Sequence, residues 1–447
     1  MTGYSCNETP QRPLKKKVRK QNWRRWSANF SLLSASVATF VPGLCSGEGF
    51  RNSPAGAFGL GRAGGRIAQV DDSSAVAENP ANLIDIKRPE GQYAPSFVFF
   101  HVDYKSPSGE KEETKKPWKP LPNFFASMPI QNDRLAAGFG ITVPYGLANE
   151  WKTDGAFADP AGLRYTAPYF SQLITINCSP TVAARVHERL TVGVGLDVMW
   201  TELSFRQYYP WFLFSPGAPE GRARIRGSGI GVSANLGITW EPIDHHRFAV
   251  TYRAPMDASL DGHLNIENVP AAAAAMGATS RSDFNTKIKF PSSVNVGYGI
   301  ELTEKIRAEI GAEWVQFSRF DALNLDAHNN NFLLGANTTV REDWRDTFTA
   351  GIGGDWKFAP DWVARAGFRY YQTPVPDHTF SPSIPDGNQK VFTVGLGYNH
   401  GHHTLEGAYG LDFYDQRVIA SNTANPSYNG TYDLTVHLFS LSYRYSF

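Results

Sequence analysis

"VHLFSLSYRYSF" (Val436–Phe447) closes the chain and shows the pattern on which the architecture rests. Phe439, Leu441, Tyr443, Tyr445 and Phe447 fall on one side of an extended strand, while Ser440, Ser442, Arg444 and Ser446 fall on the other. The strand therefore has one oily face and one wet face. The same alternation runs back through the sequence, with glycine abundant on the wet side. In "LTVGVGLDVMW" (190–200), Val192, Val194, Leu196 and Val198 oppose Gly193, Gly195 and Asp197. "RLAAGFGITV" (134–143), "SVNVGYGIEL" (293–302), "KIRAEIGAEW" (305–314), "WVARAGFRYY" (362–371) and "VFTVGLGYNH" (391–400) repeat it. About fourteen such strands can be counted, an even number.

Two architectures produce this alternation. In a soluble sandwich, short strands turn their apolar faces towards a shared core. In a transmembrane barrel the apolar faces meet lipid, strands reach about 9 to 11 residues or more, and aromatics gather at strand ends. The connections separate the two. "PIQNDR", "RVHERL", "EPIDHHR", "LTEK", "APD" and "NHGHH" are tight and polar, and they alternate with long segments around 105–122, 144–169, 207–226, 263–284, 318–342, 372–389 and 415–431. Short turns on one side and long loops on the other predict an all-β fold, a 14-stranded antiparallel transmembrane β-barrel. Closure also removes the unpaired strand edge that hydrocarbon would penalise.

The first residues agree with an exported protein. Eight basic side chains between Arg12 and Arg25 precede the apolar run "FSLLSASVATFVPG" (30–43) and then "LCSGEGF" (44–50), the order of a signal peptide over 1–47 with cleavage before Glu48. Its removal leaves 35 basic against 41 acidic side chains, which disfavours nucleic acid as a partner. Of three cysteines only Cys178 would remain, so no internal disulfide is expected. No later stretch reaches about 18 uncharged apolar residues, the length of a spanning helix.

A barrel of this size is too wide for wall side chains to fill. The chain reaches its first strand near Gln92, leaving residues 48–91 outside the wall, and "GLGRAGGRIAQVDDSSAVAENPANL" (59–83) suits neither helix nor strand. Small residues permit close backbone packing, and Arg62, Arg66, Asp71, Asp72 and Glu78 can pair with lumenal charges. A hatch, or plug, over 48–91 inside a barrel over 92–447 is the expected organisation.

At these residues the sequence resembles the FadL-type family of outer-membrane long-chain fatty-acid and hydrocarbon transporters. The resemblance rests on "EGF" (48–50), the plug segment "GLGRAGGRIAQVDDSSAVAENPA", "YGLANEW" (145–151), "FAVTYRAPM" (248–256), "DWRDTFTAGIG" (343–353), "TPVPD" (373–377) with "PSIPD" (382–386), and the last strand. It implies a multi-pass protein of the bacterial outer membrane, a monomer surrounded by outer-membrane lipids and lipopolysaccharide, that takes up hydrophobic small molecules without a cofactor.

An apolar substrate leaving water calls for exposed apolar loop surface. Tyr208, Tyr209, Trp211, Phe212, Leu213 and Phe214 in "YYPWFLFSPG", with "VPAAAAAMG" (269–277), are the expected capture site. A carboxylate would need a cation, and arginine suits it. The resemblance places Arg206 near the family's inner ligand site, with Arg341 a second candidate. Pro144 lacks an N–H to donate and lies two residues from Gly146, so strand pairing should break there. The resemblance makes that break a lateral gate, brings Phe50 to the substrate, and sets Asn79, Pro80 and Ala81 at the turn where hatch meets wall. Arg365, Arg369, Glu309 and Glu313 read as a structural charge ladder.

Other functions find less support in the same residues. A barrel lipase needs serine, histidine and a third polar residue together, and His437 has no such neighbours in sequence, so no catalytic residue and no enzyme is expected. His400, His402 and His403 read as a solvated turn, not a metal site. A nonspecific porin is disfavoured by the plug. Between fatty acids and aromatic or alkane hydrocarbons, Arg206 favours the acid.

Overall fold

The structure is a computed structural model that describes residues 48–447 apart from 116, 132 and 329–336. The expected signal peptide, 1–47, lies outside the described residues. Fourteen antiparallel wall strands close into a barrel. The first runs over Glu90–Tyr93 and Ser96–Lys105, the second over Lys111–Glu113, Trp118–Leu121 and Phe124–Gln131, and the third over Leu135–Thr142 and Gly146–Glu150. The fourth to sixth, Phe170–His187, Leu190–Tyr209 and Gly221–Ile243, are long and unbroken. The seventh to tenth each come in two pieces: His246–Arg253 with Met256–Ile266, Arg281–Phe290 with Ser293–Thr303, Ile306–Val315 with Ala322–Ala327, and Asn337–Arg341 with Thr347–Ala359. Trp362–Tyr371, Gln389–His400, His403–Tyr414 with Arg417–Ile419, and Gly430–Ser446 complete the wall. The last strand pairs with the first from Ser96 opposite Ser440 to Lys105 opposite Thr431, which closes the wall.

The outward residues form the apolar band that lipid requires. On the sixth strand Ile230, Val232, Leu236, Ile238 and Trp240 alternate with lumenal Gly231, Asn235 and Thr239. Ten residues at about 3.3 Å each, tilted by about 40°, give a band about 25 Å tall.

Above this band, towards the long loops, the polarity of the wall reverses. The seventh strand breaks at Ala254-Pro255 and the eighth at Pro291-Ser292, where proline has no N–H for the ladder. Each break shifts the alternation by one residue. Beyond it Met256, Ala258, Leu260, Leu264, Phe284, Ile288 and Phe290 are buried inwards, while Asp257, Asp261, Asp283 and Lys287 point out. The oily faces meet lipid, as expected of a barrel, in its lower part. In the upper part the same alternation builds an oily interior under a charged exterior.

Residues 48–89 lie inside the barrel. Short helices at Gly56–Gly61 and Ala75–Glu78 and a 3-10 turn at Pro80–Asp85 carry buried residues on nearly every side. The glycines of the wet wall face make room for them. A Cβ on Gly193 would lie 2.3 Å from the carbonyl carbon of Pro80, and one on Gly353 2.2 Å from the Arg62 oxygen. Charge then ties plug to wall: the fully buried Arg62 meets Asp355 at 3.0 Å and Glu309 at 3.6 Å, and Arg307 meets Asp71 at 2.7 Å. Glu309 also accepts from the N–H groups of Ile67 and Ala68 at 2.7 and 2.9 Å. Each buried charge has an opposite charge or a donor beside it, so removing one partner would strand the other at a cost of about 3–5 kcal/mol.

Candidate functional site

The third strand keeps its ladder to the fourth but parts from the second. Its ladder to the second strand ends at Ile141 opposite Phe124, and pairing resumes only at the bridge from Thr114 to Trp151. Between these points, among the described residues, the two strands form no ladder. Pro144 and Gly146 both fall inside this interval. The backbone there is satisfied by the leading residues of the hatch instead. The Asn52 N–H donates to the Pro144 carbonyl at 3.0 Å, the Gly146 N–H to the Phe50 carbonyl at 2.7 Å, and the Asn52 side-chain amide to the Val143 carbonyl at 2.8 Å. Arg51 stands opposite Tyr145 in an isolated bridge. The hatch leader supplies the partners that the second strand, held there against the first at Trp118–Leu121, does not. On the outer surface beside it, Trp118 is 55% exposed and packs 5.3 Å from Phe99.

This pairing sets Phe50 at the height of the four strand breaks. Its ring is buried in an aromatic chamber formed by Tyr145, Phe290, Phe317, Phe320 and Trp344, with centroids 5.0 to 5.9 Å away. Gly49 passes so close to Trp344 that a Cβ would lie 2.5 Å from the ring. Its N–H donates to Asp386 at 3.0 Å, and Thr347 donates to Glu48 at 2.5 Å. Burial raises the carboxyl groups of both Glu48 and Asp386 above the usual range. Beside the chamber, Glu342 accepts from the Trp344 indole at 3.1 Å, and burial pushes its carboxyl up to about 8. A cavity of about 130 Å³ lies between the leader and the break, lined in part by Arg51, Asn52, Pro144, Tyr145 and Arg253.

The cations around this space are already paired. Arg51 holds Glu48 at 3.0 Å and Glu313 at 2.5 Å, and Arg253 holds Asp197 at 3.1 Å. Arg369 closes on Glu313, and Arg365 meets Glu406 at 2.7 Å, so the wall ladder is a set of matched charges.

Neither arginine expected to hold a carboxylate stands in the chamber. Register is unbroken along the fifth strand, so Arg206 shares the outward side with Val194 and Leu196, opposite Phe170 and Arg224. Its guanidinium rests 4.4 Å from the Phe170 ring centre. Arg341 is exposed and paired with Asp343 at 2.7 Å. Both placements correct the expectation of an inner cationic site. The cause is parity: one residue along a strand moves a side chain from lumen to exterior.

The capture segment divides. Trp211 is an anchor, buried and donating its indole N–H to the Glu267 carbonyl at 2.9 Å. Tyr209 packs 4.5 Å from it, whereas Tyr208 turns outward beneath Arg164. Phe212, Leu213 and Phe214 remain open to solvent at 40, 69 and 37%. At the hatch turn, the Asn79 side-chain amide donates to Ile67 at 2.8 Å and Thr239 at 2.9 Å, and its oxygen accepts from the Ala81 N–H at 3.1 Å. Pro80 begins the 3-10 turn that follows. His402 and His403 bond to Ser446 and Tyr443.

Residues 38–447 match the family model described as outer membrane protein transport protein (OMPP1/FadL/TodX). The chain belongs to this family. As an OMPP1/FadL/TodX protein it is an outer-membrane transporter of hydrophobic compounds. It is 26% identical over 402 residues to a long-chain fatty acid transport protein of Escherichia coli O6:H1, covering 82% of this chain and 87% of that one. It is 25% identical to a putative outer membrane protein of Neisseria meningitidis serogroup B, over 76% and 81% of the two chains. Among solved structures, a Pseudomonas aeruginosa FadL homologue superposes with a TM-score of 0.78 at 21% identity, over 89% of this chain and all of that one. The Pseudomonas putida toluene transporter TodX gives 0.72 at 16% identity, over 89% and 99%. These two likenesses establish the fold.

Sequence reading missed Phe290, Phe317, Phe320, Trp344 and Glu342. "FSRF" (317–320) and "EDW" (342–344) lie at strand breaks, where alternation stops. A cluster of aromatics outside any alternating run was the available signal.

Proposed function

We propose that this transporter takes uncharged hydrophobic molecules from the exterior, holds them in the chamber around Phe50, and releases them sideways into the membrane between the second and third strands. The observation that carries this reading is the hatch leader hydrogen-bonded to the third strand where that strand has no ladder to the second. Phe212, Leu213 and Phe214 give a low-affinity landing surface, since apolar side chains left in water favour apolar company. The inward-facing oily residues above the band then lead to the chamber. Departure through the gap keeps the molecule in apolar surroundings and avoids the charged plug below.

The preference for uncharged cargo rests on charge placement. A carboxylate entering the chamber finds no spare cation there, because the adjacent Arg51 and Arg253 are committed to partners. The cavity of about 130 Å³ beside the leader is bounded by charged side chains, Glu48, Arg51, Arg66, Glu78, Arg253 and Glu313 among them, so the apolar holding surface is the aromatic chamber itself. A solved structure of the same fold is named for toluene. Long-chain fatty acids are the second reading. Arg51 and Arg253 line the cavity, and the E. coli relative is named for fatty acids.

Two measurements test the proposal. Uptake by a deletion strain complemented with this protein should be faster for monoaromatic hydrocarbons than for long-chain fatty acids, and the reverse order would install the second reading. Pro144→Val with Gly146→Val, which favours a regular strand, should abolish uptake while folding and binding of an apolar probe persist. Undiminished uptake by that variant removes the lateral route.

A further inference from the structure

Above the apolar band, the outward faces of the fifth and sixth strands carry an unbalanced group of arginines. Register sets Arg206 directly opposite Arg224, with Arg222 opposite Tyr208 on the next outward rung. Like charges directly opposite one another destabilise a sheet. Two neighbouring cations are neutralised: Arg226 by Glu202 at 2.8 Å and Arg164 by Glu220 at 2.7 Å. Arg206, Arg222 and Arg224 form no ion pair with any described residue. Glu267, whose N–H donates to the Arg222 carbonyl at 3.2 Å, is not within ion-pair distance. The Arg206 Nε is buried without a hydrogen-bond partner, and Arg222 and Arg224 are exposed. The outward charges further round the wall behave differently. Lys289 meets Asp321 at 2.7 Å and Arg319 meets Asp257 at 2.8 Å, so that surface is matched.

Height identifies the missing anion. Trp200 and Ile230 face each other as the last apolar outward pair. Arg206 and Arg224 lie six residues beyond them, about 15 Å higher at 3.3 Å per residue and a 40° tilt. A phospholipid headgroup layer is only about 5–8 Å thick. The arginines therefore stand above such headgroups and level with the sugars of an outer-leaflet glycolipid. We infer that Arg206, Arg222 and Arg224 form a binding site for a phosphate group on the saccharide of lipopolysaccharide. Guanidinium forks suit phosphate oxygens, and Phe170 and Tyr208 wall the site with aromatic faces.

The test uses the full-length protein in detergent, with phosphorylated lipopolysaccharide, its dephosphorylated form, phosphatidylglycerol micelles and inorganic phosphate as separate ligands. Phosphorylated lipopolysaccharide should bind at least about tenfold more tightly than the dephosphorylated form, a ratio worth ~1.4 kcal/mol. Arg206→Gln/Arg222→Gln/Arg224→Gln should erase that ratio, whereas Lys287→Gln/Lys289→Gln should keep it. The exposed single variant Arg222→Gln serves if the triple variant does not fold, and should lower the ratio at least about threefold. Equal binding of the two lipopolysaccharides, equal competition by phosphatidylglycerol or phosphate, or an unchanged ratio in the arginine variants overturns the site. Uptake of hydrocarbon is a separate readout and does not depend on it.

Discussion

Gly237→Ala is a one-methyl test of how tightly the plug is seated. The added Cβ would lie 2.1 Å from the Asn79 Oδ1 and 2.8 Å from the Pro80 Cδ. Ordinary contact begins near 3.4 Å, so one side must retreat by about 1.3 Å. The wall is a closed ladder, with Gly237 paired to Gly193 and Thr251 on its two sides, and it has little freedom to give. The plug yields instead. Such a shift breaks the Asn79 bonds to Ile67 and Thr239, now 2.8 and 2.9 Å, and that from Ala81 at 3.1 Å. Buried polar groups left unpaired cost about 1–3 kcal/mol each, and about 1–2 kcal/mol for each of the three bonds takes roughly 3–6 kcal/mol from the plug's local stability. Hydrogen exchange at the amides of residues 65–85 should therefore accelerate by about two to four orders of magnitude, with wall amides unchanged. Gly407→Ala is the control, because its Cβ meets nothing closer than 3.7 Å. Unchanged exchange over 65–85 in Gly237→Ala would refute the close packing of plug against wall.

Three further outcomes are expected. Glu342 has a folded pKa of about 8, above its ordinary value of 4.5, so the stability it confers is complete below about 4.5 and lost as pH rises through about 8. Trp344 emission should shift to longer wavelength over that interval, and Glu342→Gln should flatten the titration. Replacing Phe212, Leu213 and Phe214 together by serine should slow uptake several-fold at low substrate and little at saturation, measured as initial rates. Arg62→Gln leaves Asp355 and Glu309 short of a buried cation, and should raise the leak of small hydrophilic solutes in liposome swelling while barrel heat-stability on gels is retained.

Much of the wall could be read from residues alone. Alternation in "VHLFSLSYRYSF" and its counterparts, with the tight turns between them, carries strand identity directly, because a strand's period is 2. The wet-face glycines were visible too, and their reason, contact with the plug backbone, became clear only with both in place. The direction in which an alternating strand turns its oily side is not encoded in the alternation. "MDASLDGHLNI" (256–266) and "LTVGVGLDVMW" (190–200) have the same period, yet the first turns Leu260 and Leu264 inward and the second turns Val194 and Leu196 outward. Arg206 was misplaced for that reason. The chamber around Phe50 escaped because it is assembled from strand breaks and a leader distant in sequence, and periodicity carries no information where it stops. Pro144 and Gly146 could be located, since a missing N–H and a missing side chain act locally.

The reversal of wall polarity stacks two compartments along one axis, a greasy vestibule over an ionic stopper. On the lateral route, cargo leaves through the side of the vestibule and displaces at most the leader, not the charged body of the stopper. The stopper can then stay shut throughout a transport cycle. Salts, dyes and antibiotics gain no passage each time a molecule goes through, and no energy source is required to pull a cork.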